Sequence, residues 1–207
     1  MQVMLNKTPT IKRILDFVLS IIIMLVCLPV MLIVGLIIFL TEGKPIFFFH
    51  ERPGKDGQPF KLIKFRSMRN ARDAEGNLLP DGERITNFGN FIRKTSIDEL
   101  PEFINVLRGE MSLVGPRPLL MQYVDRYSPQ QFRRHEVLPG ITGWAQVNGR
   151  NTISWNEKFM LDIWYIDHWS VWLDIKILLL TVWKVISGEG ISQAGRATMD
   201  EFMGNED

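Results

Sequence analysis

From residue 17 to residue 40 the chain holds 24 consecutive positions without a charge, and only Ser20, Pro29 and Gly35 fall outside the apolar set. As one helix this run would be about 36 Å long, enough to cross a hydrocarbon core of roughly 30 Å. Pro29 lies near its middle, where the ring and the missing N–H disrupt a helix. It divides the run into arms of 12 and 11 residues. Each arm is only about half a bilayer thick. Further on, the pattern changes to short β-prone apolar runs at 46–50 and 60–65. They are joined by Glu51-Arg52-Pro53-Gly54-Lys55-Asp56-Gly57-Gln58-Pro59, which is dense in turn formers. This pattern predicts a β-hairpin.

Residues 71–84 are polar and contain Gly76-Asn77 and Pro80-Asp81-Gly82, which predicts a surface loop. Helical spacing follows at 86–94, 98–108, 119–136, 154–168 and 171–187. Gly115-Pro116-Arg117-Pro118 admits neither regular helix nor central strand. Pro139-Gly140-Ile141-Thr142-Gly143 and Asn148-Gly149-Arg150-Asn151 are predicted to be loops. The fold class expected is α+β and mostly helical, with one small hairpin. Five of the six tryptophans, Trp155, Trp164, Trp169, Trp172 and Trp183, fall within 154–187, the stretch of the last two helices. The longest uncharged stretch there is too short to span a bilayer, so these helices are expected to lie amphipathically at a membrane interface.

Charge refines this division. The formal net charge of +1 over 207 residues conceals a basic first part. Residues 1–70 carry ten Lys/Arg against four Asp/Glu, and residues 71–207 carry fourteen against nineteen. The balance excludes a general nucleic-acid binder. The single cysteine, Cys27, excludes an intramolecular disulfide and a cysteine-rich zinc site. A cleaved signal peptide fits poorly, because the apolar run is too long and Thr41-Glu42-Gly43-Lys44 offers no A-x-A-like site. Both flanks of the run are basic, whereas positive charge prefers the cytoplasmic side. A helix that enters, bends at Pro29 and leaves by the same face satisfies both flanks, and a kinked transmembrane anchor is the alternative. These features weigh the two equally.

The candidate chemistry lies in short segments. In Thr95-Ser96-Ile97-Asp98-Glu99-Leu100-Pro101, Ser96 and Glu99 have the spacing of a capping box, which gives the acids a structural role at a helix start. The same position would hold a carboxylate ionised, fit to attack phosphorus or to bind a hard cation. Arg117, set between two prolines, presents a planar fork suited to phosphate, and its alternative is a stiff turn with a solvated arginine. Arg150 sits in a second polar loop. Lys64 and Arg66, at the hairpin end, are further cations for phosphates, lipid headgroups or water. No Walker A or G-x-G-x-x-G segment is present.

Taken in order, these segments resemble the monotopic phosphoglycosyl transferases, the bacterial sugar transferase family, over nearly the whole chain. The resemblance rests on Lys12-Arg13-Ile14-Leu15-Asp16, Pro29, Lys64-Phe65-Arg66-Ser67-Met68, Asp98-Glu99-Leu100-Pro101, Ser112-Leu113-Val114-Gly115-Pro116-Arg117-Pro118 and the segment from Pro139 to Arg150. It implies transfer of a sugar 1-phosphate from a UDP-sugar to a polyprenyl phosphate, usually undecaprenyl phosphate, with release of UMP and a need for Mg²⁺. It implies a re-entrant membrane helix over residues 1–42, broken at Pro29, and a catalytic part over 43–207 on the cytoplasmic face of the bacterial inner membrane, with both termini cytosolic. The family usually carries a serine just before that proline, where this chain has Leu28.

By position, the resemblance makes Asp98 the nucleophile and Asp98 with Glu99 the Mg²⁺ site. Glu99 is assigned either to the metal or to orienting the lipid phosphate. Arg117 would bind phosphate, Arg150 the nucleotide end, and Lys64 and Arg66 further phosphate oxygens. The short chain is most similar to the minimal members that serve protein N-glycosylation, which suggests a UDP-N-acetylated deoxysugar. The partners implied are the UDP-sugar, undecaprenyl phosphate and the phospholipid membrane, with oligomerisation open. Two competing classes are a polyprenyl-phosphate glycosyltransferase, which would release UDP, and a non-catalytic membrane scaffold.

Overall fold

A computed structural model describes residues 8–149, 153–187 and 201–204. The apolar run forms a single 33-residue helix, α1 (Thr10–Glu42), with Pro29 exposed inside it. Helical structure continues through the proline, although Pro29 cannot donate to the Leu25 carbonyl one turn earlier. At about 1.5 Å per residue the helix is about 50 Å long, well beyond a bilayer core. It is long and apolar enough to cross a membrane, and 11% of its most apolar window is buried.

Its two arms dock on the rest of the chain by different means. On the first arm Lys12 Nζ lies 2.6 Å from Asp174 Oδ2. Asp16 accepts from Ser112 Oγ at 2.8 Å and from the Leu113 N–H at 3.2 Å. The second arm docks through Val34 and Ile38, which pack with Phe65 and Ile92. Its last carbonyls, of Glu42 and Gly43, accept from Arg66 Nη2 at 2.6 and 2.8 Å. Between the arms, Ile21, Ile22, Leu25, Val26, Leu28 and Val30 face outward.

The hairpin forms as its sequence predicts. Strands β1 (Phe47–Pro53) and β2 (Pro59–Phe65) pair antiparallel, with Phe48 opposite Lys64 and Arg52 opposite Phe60. Next come the one-turn α2 (Asp81–Arg84), then α3 (Asn87–Lys94) and α4 (Glu102–Arg108). Thr86 caps α3 by accepting from the Gly89 N–H at 2.8 Å. Then come β3 (Ser112–Val114), α5 (Pro129–Phe132), β4 (Gly140–Thr142), α6 (Trp144–Val147), α7 (Trp155–Asp167) and α8 (Val171–Ser187). The helices expected at 86–94, 154–168 and 171–187 are present within a residue at each end. The largest core cluster joins Leu62 and Val106 to β3, α7 and α8 through Leu113, Val114, Tyr165, Ile166 and Ile177.

Three expectations are corrected, and proline or glycine explains each. The stretch 98–108 is two pieces, a 3-10 turn at Ile97–Glu99 and then α4, because Pro101 has no N–H to continue the ladder. The stretch 119–136 breaks into a 3-10 turn at Met121–Arg126, α5 and a second 3-10 turn at Arg133–His135. Pro129 holds Ser128 extended, at φ −65° and ψ 161°, so no helix runs across it. The segment around Gly140 is not only loop: β4 pairs parallel with β3. A Cβ on Gly140 would lie 2.1 Å from the Gly115 nitrogen, so this pairing requires a bare backbone there.

Candidate active site

Ser96 does not cap a helix. It adopts left-handed backbone at φ 56° and makes no side-chain capping bond. The 3-10 turn that follows places Asp98 and Glu99 in different surroundings. Glu99 Oε1 lies 2.8 Å from Lys64 Nζ of β2 and 2.5 Å from Arg117 Nη2 of the loop after β3. One carboxylate thus joins the hairpin to the Gly-Pro-Arg-Pro loop. Burial alone would raise the Glu99 carboxyl, but Arg117 and Lys64 hold it well below the usual carboxylate range.

Asp98 is only 8% exposed and makes no side-chain hydrogen bond or ion pair among the described residues. Burial, followed by the neighbouring Glu99 charge, pushes its carboxyl up to about 6, against the pull of Lys64, Arg93 and Arg117. A third carboxylate, Glu102 at the start of α4, is 2% exposed and lies 3.1 Å from Lys64 Nζ. Burial raises it to about 7. Burial works against the Lys64 ammonium, but Glu99 and Glu102 outweigh it and leave that group above its ordinary value.

Arg117 is fixed from behind. Its carbonyl accepts from Arg134 Nη2 at 2.8 Å, and the same nitrogen lies 2.8 Å from Asp162 Oδ2 of α7. That second ion pair is closed, with side chains 1% and 3% exposed. The Arg134 guanidinium lies over the rings of Tyr127 and Phe159 at 5.8 and 5.7 Å. Pro116 and Pro118 stiffen the loop itself.

The structure therefore brings together Asp98, Glu99, Lys64 and Arg117. It does not bring Arg66 to them, because that guanidinium holds the carbonyl end of α1. Arg150 lies outside the described residues. Glu102, Arg134 and Asp162 are site neighbours that sequence reasoning missed. Glu102 follows Glu99 by three residues, the spacing of one helical face, and that was the available signal.

A divalent cation is compatible with the donors present. Both Asp98 oxygens have no protein partner among the described residues, and Glu99 keeps Oε2 outside its two ion pairs. Mg²⁺ characteristically takes one or two carboxylates and completes its shell with substrate and water oxygens. Among the described residues no three His, Cys, Asp or Glu side chains form a self-sufficient metal cage.

The sequence profile described as bacterial sugar transferase matches residues 7–188. A protein described as uncharacterized sugar transferase EpsL, from Bacillus subtilis (strain 168), is 53% identical over 95% of this chain and 98% of its own. A UDP-glucose:undecaprenyl-phosphate glucose-1-phosphate transferase from Escherichia coli (strain K12) is 44% identical over 84% of this chain. The galactosyl transferase CpsE from Streptococcus agalactiae serotype III (strain NEM316) is 44% identical over 86% of it. The chain spans 40% and 43% of the length of these last two. Matched by the profile over most of its length, with its acidic turn and arginine loop drawn into one cluster, the chain belongs to the bacterial sugar transferase family.

Proposed function

We propose that this protein transfers a sugar 1-phosphate from a UDP-sugar to undecaprenyl phosphate and releases UMP. The observation that carries the reading is the Asp98 carboxylate, without a partner among the described residues, beside two cations, Lys64 and Arg117, that Glu99 holds in place. The relative from Escherichia coli, whose name states this donor class and acceptor, supports it. The names of the relatives carry glucose and galactose, while the resemblance of the short chain carries an N-acetylated deoxysugar.

Asp98 Oδ attacks the β-phosphorus of the donor. The bond from that phosphorus to the bridging oxygen breaks, and UMP leaves with the electron pair. A phosphate oxygen of undecaprenyl phosphate then attacks the phosphosugar, forming the lipid diphosphosugar and regenerating the Asp98 carboxylate. Two displacements at one carboxylate give ping-pong kinetics. Arg117 and Lys64 bind and orient the phosphate oxygens, and Glu99, the residue next to Asp98, keeps both cations in place. A magnesium ion held by Asp98 and Glu99 would supply neutralisation of the leaving phosphate when bound.

The membrane arrangement in this reading is re-entrant, with both arms of α1 returning to one cytosolic body. The docking of both arms and the basic flanks support it. Such a helix sets the active site at headgroup height, where a water-soluble donor meets a lipid-bound acceptor. A panel of UDP-sugars with undecaprenyl phosphate, read by nucleotide product, tests the function. UMP is expected; UDP would replace this reading with a glycosyltransferase. Cysteine labelling that found residue 2 outside and residue 205 inside would overturn the re-entrant arrangement.

A further inference from the structure

Antiparallel pairing puts opposed residues on one face of the hairpin. Phe48 is opposite Lys64, so Phe48, His50 and Arg52 all share the face that carries Lys64 into the site. Arg52 is half-buried, and its Nε is buried with no hydrogen-bond partner among the described residues. Its one side-chain hydrogen bond among the described residues joins Nη2 to His50 Nδ1 at 3.2 Å. A guanidinium only donates, so His50 must accept there as a neutral ring. Burial, then Arg52 and Lys64, lower the His50 imidazole, which agrees with that role.

No ion pair reaches Arg52 among the described residues. Glu102 acts on it from a distance but is already within 3.1 Å of Lys64. Strand β1 packs against the 3-10 turn Met121–Arg126, which follows the Arg117 loop, and the charge felt most strongly by Arg52 is another cation, Arg117. Arg117 in turn uses only Nη2 and its carbonyl, which leaves Nε and Nη1 without a hydrogen bond among the described residues. Glu99 already offsets Arg117, but Arg52, partly shut off from water, with idle donors and opposed by a second guanidinium, is unfavourable until a further anion joins it. A phosphoryl group with several oxygens matches planar N–H forks.

We propose that Arg52 and Arg117 together form a binding subsite for a phosphoryl oxyanion beside Asp98. The assignment of that oxyanion to a substrate rests on the proposed transferase function; the anion chemistry itself does not. The donor's diphosphate and the lipid acceptor's phosphate present the same group.

The test uses the full chain in phospholipid nanodiscs and inorganic pyrophosphate as the probe, titrated by calorimetry. Arg52→Gln is expected to weaken pyrophosphate binding at least tenfold, and Arg52→Lys to keep part of it. The unliganded Arg52→Met protein is expected to melt at or above the wild-type temperature, because it loses a buried cation that has no anionic partner. Absence of pyrophosphate binding in wild type, unchanged affinity in Arg52→Gln, or a lower melting temperature for Arg52→Met would each overturn the subsite. In steady-state assays of Arg52→Gln, a raised KM for the UDP-sugar assigns the subsite to the donor, and a raised KM for undecaprenyl phosphate assigns it to the acceptor. Neither rising overturns the proposal. Release of UDP in place of UMP would end the proposed reaction while leaving the pyrophosphate result intact.

Discussion

Two arginine–carboxylate clusters lie back to back in this molecule and are joined through one residue. In the rear cluster, Arg134 and Asp162 are 1% and 3% exposed and bonded through both Nε and Nη2. In the front cluster, Glu99 holds Lys64 and Arg117, whose side chains are 21% and 38% exposed. The rear pair is complete and satisfies its own charges. The front one is open, and Asp98 beside it has no partner among the described residues. Arg117 belongs to both: its side chain faces the open cluster, and its carbonyl is held by the closed one. The same chemistry thus serves as a support on one side and as a site on the other, and accessibility with unfilled valence separates the two roles.

The comparison breaks most sharply if the two clusters respond alike to mutation. Asp98→Asn should cut UMP release by roughly 10⁴-fold or more, since removing a nucleophile leaves only binding and electrostatics. Its melting temperature should change little, which thermal unfolding in nanodiscs would check. Arg134→Ala should do the reverse and destabilise by about 3–5 kcal/mol, because it strands the Asp162 charge in the interior. Denaturant unfolding measures this, and replacing both partners with apolar residues should cost less than Arg134→Ala alone.

The closed cluster also carries His135, 4% exposed, with Nδ1 3.0 Å from the Gly54 carbonyl. Burial, then the Arg134 charge, lower its imidazole to about 4. As pH falls, the unfolded chain takes up this proton first, near 6.5. The stability from a neutral His135 is therefore full above pH 6.5 and lost as pH falls towards 4, by about 3 kcal/mol. His135→Gln should flatten that part of the stability curve against pH. The smallest effect expected is from Glu99→Gln, which should lower the rate by about 10²-fold through loosened Lys64 and Arg117. Its cost in stability should stay below that of Arg134→Ala.

The front cluster was legible in the sequence, and the rear one was not. Asp98, Glu99 and Arg117 lie in segments whose prolines mark rigid, irregular backbone, and such segments commonly carry chemistry. Arg134 and Asp162 lie 28 residues apart, in segments that read as ordinary helix, and only packing of α7 against the turn at Arg133–His135 brings them together. The hairpin and the α3, α7 and α8 helices follow directly from periodicity. The splitting of 98–108 and 119–136 also follows from sequence once Pro101 and Pro129 are weighed above apolar spacing. The β3–β4 pairing does not, since three-residue strands carry no period and depend on contact between Gly115 and Gly140. Ser96 has capping-box spacing but turns left-handed, because Glu99 is drawn to two cations instead of to the helix end.

The most direct measurement of the account is a single-turnover reaction without lipid acceptor, using a UDP-sugar labelled at its β-phosphate. Asp98 as nucleophile predicts stoichiometric release of UMP, with the label retained covalently on the protein and absent from Asp98→Asn. Label-free protein, with UMP formed only when undecaprenyl phosphate is added, would contradict it.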